Sequence, residues 1–263
     1  MMNVHPRRRV AGSLISMIAV LLLAACGGSS KPEPAGTPAA PTRPAATAEN
    51  VAMTAGQLAD MIAAAWSSVQ TIRIVRGAAS TASPVASAPN AVIRTVTDTD
   101  AAGNRRLQLF SANGASAELV AVDGLLWARG DWPFPAAAAG TPEAGGWFTV
   151  DPAMAEQDQA AGPIVSAMLA PVAPVYSGLS ESQRQRAIEP LGARTIDGKS
   201  CDAYRIPATT QTGQSYDVII SLDADHLPCA IETTGLGQDA LETYTFNEAM
   251  SIVAPVASPA ASS

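Results

Sequence analysis

The constraint that governs this chain is an alternation of period two in its last third. Tyr204, Ile206, Tyr216, Val218, Ile220, Leu222, Ile231, Tyr244 and Phe246 share one parity within their segments. Arg205, Asp217, Ser221, Glu232, Thr243 and Thr245 share the other. Neighbouring side chains of a strand point to opposite faces, so these segments build an antiparallel sheet with one apolar and one wet face. The apolar face must be covered, and a long meander does that by curling over helices.

The same texture occurs earlier. Ile72 and Ile74 flank Arg73, residues 91–98 (AVIRTVTD) are rich in β-branched side chains, and Leu107 and Leu109 flank Gln108. Residues 117–122 meet Leu125-Leu126-Trp127 through Asp123-Gly124, a dipeptide suited to tight hairpin turns. A second such turn, Asp197-Gly198, leads from residues 191–196 into 200–206. Residues 131–146 read as a long loop before a strand at 147–150, and further strands fall at 216–222, 229–234 and 242–247.

Two stretches are helical in pattern. Thr54 and Gln57 form a capping box, and Leu58, Met61, Ile62, Ala65, Trp66 and Val69 then mark one apolar stripe about four turns long. Residues 152–189 read as two or three short helices, broken by Gly162-Pro163 and by Pro171 and Pro174, with a second box at Ser180 and Gln183. The fold class expected is α+β: a curved antiparallel sheet with helices over its concave face.

The first residues carry an address. Arg7, Arg8 and Arg9 precede an uncharged run from Val10 to Ala25, short of the roughly 20 apolar residues of a membrane span. The run closes on Leu23-Ala24-Ala25-Cys26, which resembles a bacterial lipobox. That resemblance implies a signal peptide at 1–25, a diacylglycerol thioether on Cys26, and an extracytoplasmic protein held to the cell membrane, or to an outer membrane where one exists. An uncleaved signal anchor is the competing reading, but it needs neither the small pair nor the cysteine. Acyl chains contribute about 0.8 kcal/mol per buried methylene, enough in pairs to hold a protein on a bilayer. Residues 27–50 contain five prolines and no large apolar side chain, and read as a disordered tether. Residues 255–263 read as a disordered tail.

The order of these segments resembles a known family. VDGLLWARG (122–130), GWFTVDP (146–152), a helical stretch, LGARTIDGKSCDAYRI (191–206), YDVIISLDADHLP (216–228) and ETYTFNE (242–248) follow one another. Proteins of the outer-membrane lipoprotein carrier (LolA/LolB-like) superfamily show this succession, and the style is that of LppX/LprG-type lipoproteins. The resemblance covers residues 51–254. It implies an open half-barrel of about eleven strands, helices over the concave side, and an apolar cavity for acyl chains of a lipid or a lipoprotein. Leu107, Leu109, Trp127, Tyr204, Ile206, Val218, Ile220, Ile231, Tyr244 and Phe246 are the candidates to line it. Members of the superfamily also act in envelope sensing, so an envelope protein partner on a closed scaffold is the alternative.

Other chemistry is thinly represented. The net charge is −7, and removing residues 1–25 takes away three Arg and no acid, which leaves no basic surface for nucleic acid. There are two His and three Cys, one of each within the first 26 residues, so metal and catalytic sets are poorly supplied and no cofactor is implied. His226-x-x-Cys229 beside Asp223 and Asp225 reads as a polar hairpin turn, because Pro228 and Thr234 replace the residues a calcium loop requires. Gly235-Leu236-Gly237 mimics a dinucleotide fingerprint but precedes a strand rather than a helix, and no G-x-S-x-G occurs.

Cys201 and Cys229 could pair, since disulfides persist outside the cytoplasm. If Tyr204 faces Val218 and Ile220 faces Ile231, regular strands place them on opposite faces about 10 Å apart, too far for a bond. A bulge at Pro228 would reverse the parity and permit it. Trp132, Phe134 and Trp147 flank the long loop and either pack on the rim or form a lip over ligand.

The lipobox yields a direct expectation. The mature protein begins at Cys26 with a mass increment of acyl chains, and Cys26→Ser abolishes both, as read by mass spectrometry of the N-terminal peptide.

Overall fold

The computed structural model describes residues 53–78, 92–132, 134–142, 144–210, 212–236 and 239–255. The signal peptide, Cys26, the tether and the tail from residue 256 lie outside the described residues. Helix α1 (Ala55–Trp66) is followed by β1 (Ile72–Ala78), β2 (Val92–Thr99), β3 (Arg105–Ser111), β4 (Ser116–Val122), β5 (Leu125–Arg129) and β6 (Trp147–Val150). Three short helices come next: α2 (Pro152–Ala155), α3 (Gly162–Leu169) and α4 (Glu181–Arg184). The chain returns through β7 (Glu189–Ile196), β8 (Lys199–Thr209), β9 (Ser215–Leu222), β10 (Pro228–Thr234) and β11 (Ala240–Phe246).

All eleven strands form one open antiparallel sheet in the order β6-β5-β4-β3-β2-β1-β11-β10-β9-β8-β7. Each half is a meander, and the halves join where the first strand pairs with the last, Ile74 opposite Tyr244. β6 and β7 therefore lie at opposite edges. The segment between them, with its three helices, must cross from one edge to the other, and it does so over the apolar face.

Local sequence explains the elements. Thr54 accepts from the Gln57 backbone at 3.3 Å while the Gln57 side chain accepts from the Thr54 backbone at 2.9 Å, so both boxed donors are satisfied. α1 stops at Trp66, a turn short of the expected stripe. Ser67 and Ser68 donate their hydroxyls to the carbonyls of Ala64 and Ala65 and close the helix before Val69. Gly162-Pro163 opens α3 rather than breaking a helix. Proline suits the first turn, where its missing N–H would have no intrahelical partner. Asp123-Gly124 takes φ of 51 and 77°, and Asp197-Gly198 takes 48 and 79°, the left-handed pair that a two-residue hairpin requires.

The concave face carries two apolar clusters. Under α3, Leu119, Leu126, Ala128 and Val150 pack against Ile164, Val165 and Met168. Under α1, Ile206, Ile220, Leu222, Ile231 and Tyr244 pack against Leu58 and Ile62. α1 is fixed at its start by Ala55 N–H to Arg186 O (2.9 Å) and by Ile188 N–H to Met53 O (3.0 Å). At Gly56 an added Cβ would come within 2.9 Å of the Arg184 carbonyl, so only glycine admits this approach of α1 to α4.

The β8–β9–β10 register corrects one expectation. Tyr204 lies opposite Ile220 and Ile206 opposite Val218, two residues from the anticipated Tyr204–Val218 pairing. A two-residue shift preserves parity, so the apolar face is unchanged. Ile220 does face Ile231, and the register breaks between Pro228 and Ala230, leaving Cys229 in a bulge. The Cα atoms of Cys201 and Cys229 are 6.6 Å apart and the two are disulfide-bonded across the end of β9.

On the convex face Arg73, Asp98 and Arg106 stand in one cross-strand row. Asp98 is 1% exposed and receives Arg73 Nε at 2.7 Å and Arg106 NH2 at 2.6 Å. Burial alone would raise its carboxyl, but the hydrogen bonds and charges of the two guanidinium groups outweigh it and hold the carboxyl below its ordinary value. A group depressed on folding contributes stability above its unfolded value and loses it as pH falls through the folded one. Asp98→Ala is therefore expected to cost about 2 kcal/mol in urea unfolding at neutral pH, and that difference from wild type should shrink as pH falls below about 4.

Candidate functional site

The cross-strand register lays out the concave face row by row. One row runs Phe246, Ile72, Thr99, Arg105, Ala121, Leu126. The next runs Tyr244, Ile74, Thr97, Leu107, Leu119, Ala128. The third runs Glu242, Arg76, Thr95, Leu109, Ala117. Both ends of these rows lie beneath helices. The middle, over β1, β2 and β3, falls between the two clusters, and Ile74, Arg76, Thr95, Thr97, Leu107 and Leu109 are only half-buried there. Three alternate threonines form the floor of this trough, flanked by isoleucine and leucine.

The candidate lining residues divide into three groups. Leu107 and Leu109 border the trough against the α3 cluster. Ile206, Ile220, Ile231 and Tyr244 are buried in the α1 cluster, while Tyr204, Val218 and Phe246 pack against it half-buried. Trp127 is a correction: it lies opposite Val120 and Thr149 on the convex face, while Leu126 and Ala128 point inward. The run Leu125-Leu126-Trp127 has no alternation, so its parity could not be read from the sequence. Sequence reasoning also missed Ile74, Thr95 and Thr97, although the alternate threonines of AVIRTVTD were a usable signal.

At the β2–β3 hairpin end, the trough opens into a cavity of about 430 Å³ between the ends of α1 and α3. Trp66, Val69, Ile72, Leu169, Pro171 and Val172 give it apolar walls, and Thr99, Asp100 and Arg105 give it polar ones. Its size falls in the range of small-molecule sites. Arg105 is buried and donates to the carbonyl of Ala167 in the last turn of α3. Burial lowers its pKa from the ordinary value, yet an arginine so shifted remains charged.

Polar groups border the other end. Arg76 meets Glu242 at 3.4 Å, and Tyr244 donates its hydroxyl to Glu242 at 2.8 Å. Burial first, then the charge of Glu242 and the hydrogen bond to it, push the Tyr244 hydroxyl well above its ordinary value. Burial likewise raises Tyr176, which packs on the same cluster. Both phenols are neutral at physiological pH, and Glu242 holds that of Tyr244.

The remaining motifs are structural. Asp223 accepts from the backbone N–H groups of Asp225 and Leu227, each at 2.9 Å, with His226 at φ 62° in the turn. Gly235 turns the chain after β10 at φ 93°. Trp132 and Phe134 stack at 5.6 Å, and Trp132 donates to the carbonyls of Glu118 and Arg129. Arg129 lies over Trp147 at 4.9 Å, so these aromatics pack on the rim. Among the described residues no group of three or more His, Cys, Asp or Glu could hold a metal ion, and no helix is long and apolar enough to cross a membrane.

Fold and site together define an open α+β half-barrel whose concave face is covered at both ends by helices and left half-covered between them. This is the architecture that the resemblance to LolA-like carriers implied. In backbone the chain is similar to the Mycobacterium tuberculosis lipoprotein LppX, with 11% identity and a TM-score of 0.46 over 75% of this chain and 97% of that one. It is similar also to LprF from Mycobacterium bovis, with 10% identity and a TM-score of 0.47 over 76% and 96%. The MucA/MucB complex of Pseudomonas aeruginosa gives 14% identity and a TM-score of 0.33 over 74% and 58%. No family model matches the chain, and no curated protein does.

The two environments predict different mutational costs. Ile220 is fully buried beneath α1, so Ile220→Ala is expected to cost about 3 kcal/mol in denaturant unfolding. Leu109 is half-buried beside the trough, and Leu109→Ala should cost about 1 kcal/mol.

Proposed function

We propose that this protein is an extracytoplasmic lipoprotein, anchored through acylated Cys26, that holds acyl chains in the trough of its half-barrel without making or breaking a bond. One observation carries this reading. Ile74, Arg76, Thr95, Thr97, Leu107 and Leu109, inward-facing on β1, β2 and β3, stay half-covered between two helical covers, and that strip borders a cavity of about 430 Å³ with both apolar and polar walls. Apolar surface left to water is unfavourable by about 25 cal/mol per Å², and a hydrocarbon chain laid along Ile74, Leu107 and Leu109 removes that cost there. An acylated Cys26 would hold that strip beside a membrane, a source of acyl groups.

A second reading also has an observation in its favour. The half of the concave face under α1 is already filled, with Leu58, Ile62 and Ile220 almost wholly buried. On that reading the scaffold is closed and serves an envelope protein partner, as a structural or sensing lipoprotein.

The test uses the full chain, purified in nanodiscs and examined by native mass spectrometry and by uptake of a fluorescent fatty acid. The acyl-binding reading expects bound lipid beyond the anchor and saturable uptake. It expects Thr97→Arg, in the middle of the trough, to weaken uptake at least about tenfold, while Gln108→Arg on the convex face leaves uptake unchanged. A clean mass and no uptake would favour the closed scaffold.

A further inference from the structure

Among the described residues, three charged side chains are buried: Asp98, Asp100 and Arg105. Two of them are fully served. Asp98 has its two arginines. Asp100 accepts from the backbone N–H groups of Ala102, Asn104 and Ile252 and from the Asn104 side chain, at 2.9–3.1 Å. Arg105 is different. It is 9% exposed, and among the described residues its side chain has no carboxylate partner and donates to the neutral carbonyl of Ala167 alone.

A guanidinium carries five N–H donors, and a buried cation without a counter-charge is costly. The partial negative end of α3 meets part of that need. The rest faces the cavity between α1 and α3, whose wall Arg105 forms. Thr99 lies directly opposite Arg105 in register and lines the same space, so a hydroxyl and the guanidinium border one cavity. Asp100 also borders the cavity, but four donors occupy its oxygens and hold its carboxyl below the ordinary value against the raising effect of burial. The apolar wall begins next to this polar pair, with Trp66, Ile72 and Leu169.

We propose that this end of the trough is an anion site with Arg105 as its binding residue, and that the ligand is an amphiphile whose anionic head, a carboxylate or a phosphate, sits on Arg105 while its chain runs over Ile72, Trp66 and Leu169. The inference rests on the acyl-binding reading above and names the head group that reading leaves open. A planar guanidinium meets either head with paired hydrogen bonds, and the low-dielectric wall strengthens them. Neutral alcohols and esters of the same chain length gain only the apolar contact.

The experiment compares octanoate, octyl phosphate and octanol on the full chain in nanodiscs, with empty nanodiscs subtracted and Trp66 among the fluorophores. Octanoate and octyl phosphate should each bind at least about tenfold more tightly than octanol. Arg105→Met should bring octanoate to the level of octanol, and Arg105→Lys should keep part of the preference. Should Arg105→Met fail to fold by circular dichroism, the wild-type ratio still decides, joined by Thr99→Val, which should weaken octanoate about threefold. Equal binding of octanoate and octanol overturns the anion site and leaves acyl binding standing. Failure of all three to bind overturns the acyl-binding reading itself. Inorganic phosphate at matched concentration should leave octanoate bound; displacement by it overturns the amphiphile in favour of a free anion.

Discussion

The pairing of β1 with β11 is the constraint on which the rest of the structure depends. Seven residue pairs join the first strand to the last. That seam turns two separate meanders into one sheet and sends β6 and β7 to its opposite edges. Once the edges are fixed, the chain between them has one short route, across the apolar face, and its sequence of brief helices is what such a crossing allows. The seam also sets where the covers fall. α1 precedes β1 and settles on the strands after the seam, while α3 settles on the strands before it. The half-covered strip is thus a product of topology: it lies where the two covers end.

Much of this was legible in the residues. The parity of β8–β11 is unambiguous because Ile220, Leu222 and Ile231 alternate with Ser221 and Glu232. The Asp-Gly turns and both capping boxes announced themselves through residue types that have few other uses. Three things were hidden. The end of α1 depends on two serine hydroxyls taking the last carbonyls, and serine is equally at home in a loop. The orientation of β5 was hidden by an unbroken apolar run, in which Trp127 looks like core although its neighbours point inward. The register of β8 on β9 is a sum over the whole strand pair, and parity alone leaves it free to shift by two.

The site was legible in part only. Leu107 and Leu109 were recognised as inward-facing, but of the β8–β11 residues Ile206, Ile220, Ile231 and Tyr244 lie on surface that is already buried in the α1 cluster. No local pattern says which part of a concave face a distant helix will occupy, because that depends on where the seam lies. Arg105 was hidden for a related reason. Arg105-Arg106 reads as a solvated pair at a strand end, and only the tertiary arrangement turns one inward beneath α3 and the other outward to Asp98.

The bond between Cys201 and Cys229 has a bearing on where this fold can be completed. It ties the β8 and β10 strands across the end of β9, closing a stretch of 28 residues in the last-synthesised part of the sheet. Such a clamp survives only in oxidising surroundings, and its loss from a loop of that length removes about 3 kcal/mol, a sizeable share of what a domain has to spare. The ripened, fully braced form of the molecule therefore depends on its surroundings as well as its sequence, and a copy kept among reducing thiols would be a looser object with the same residues.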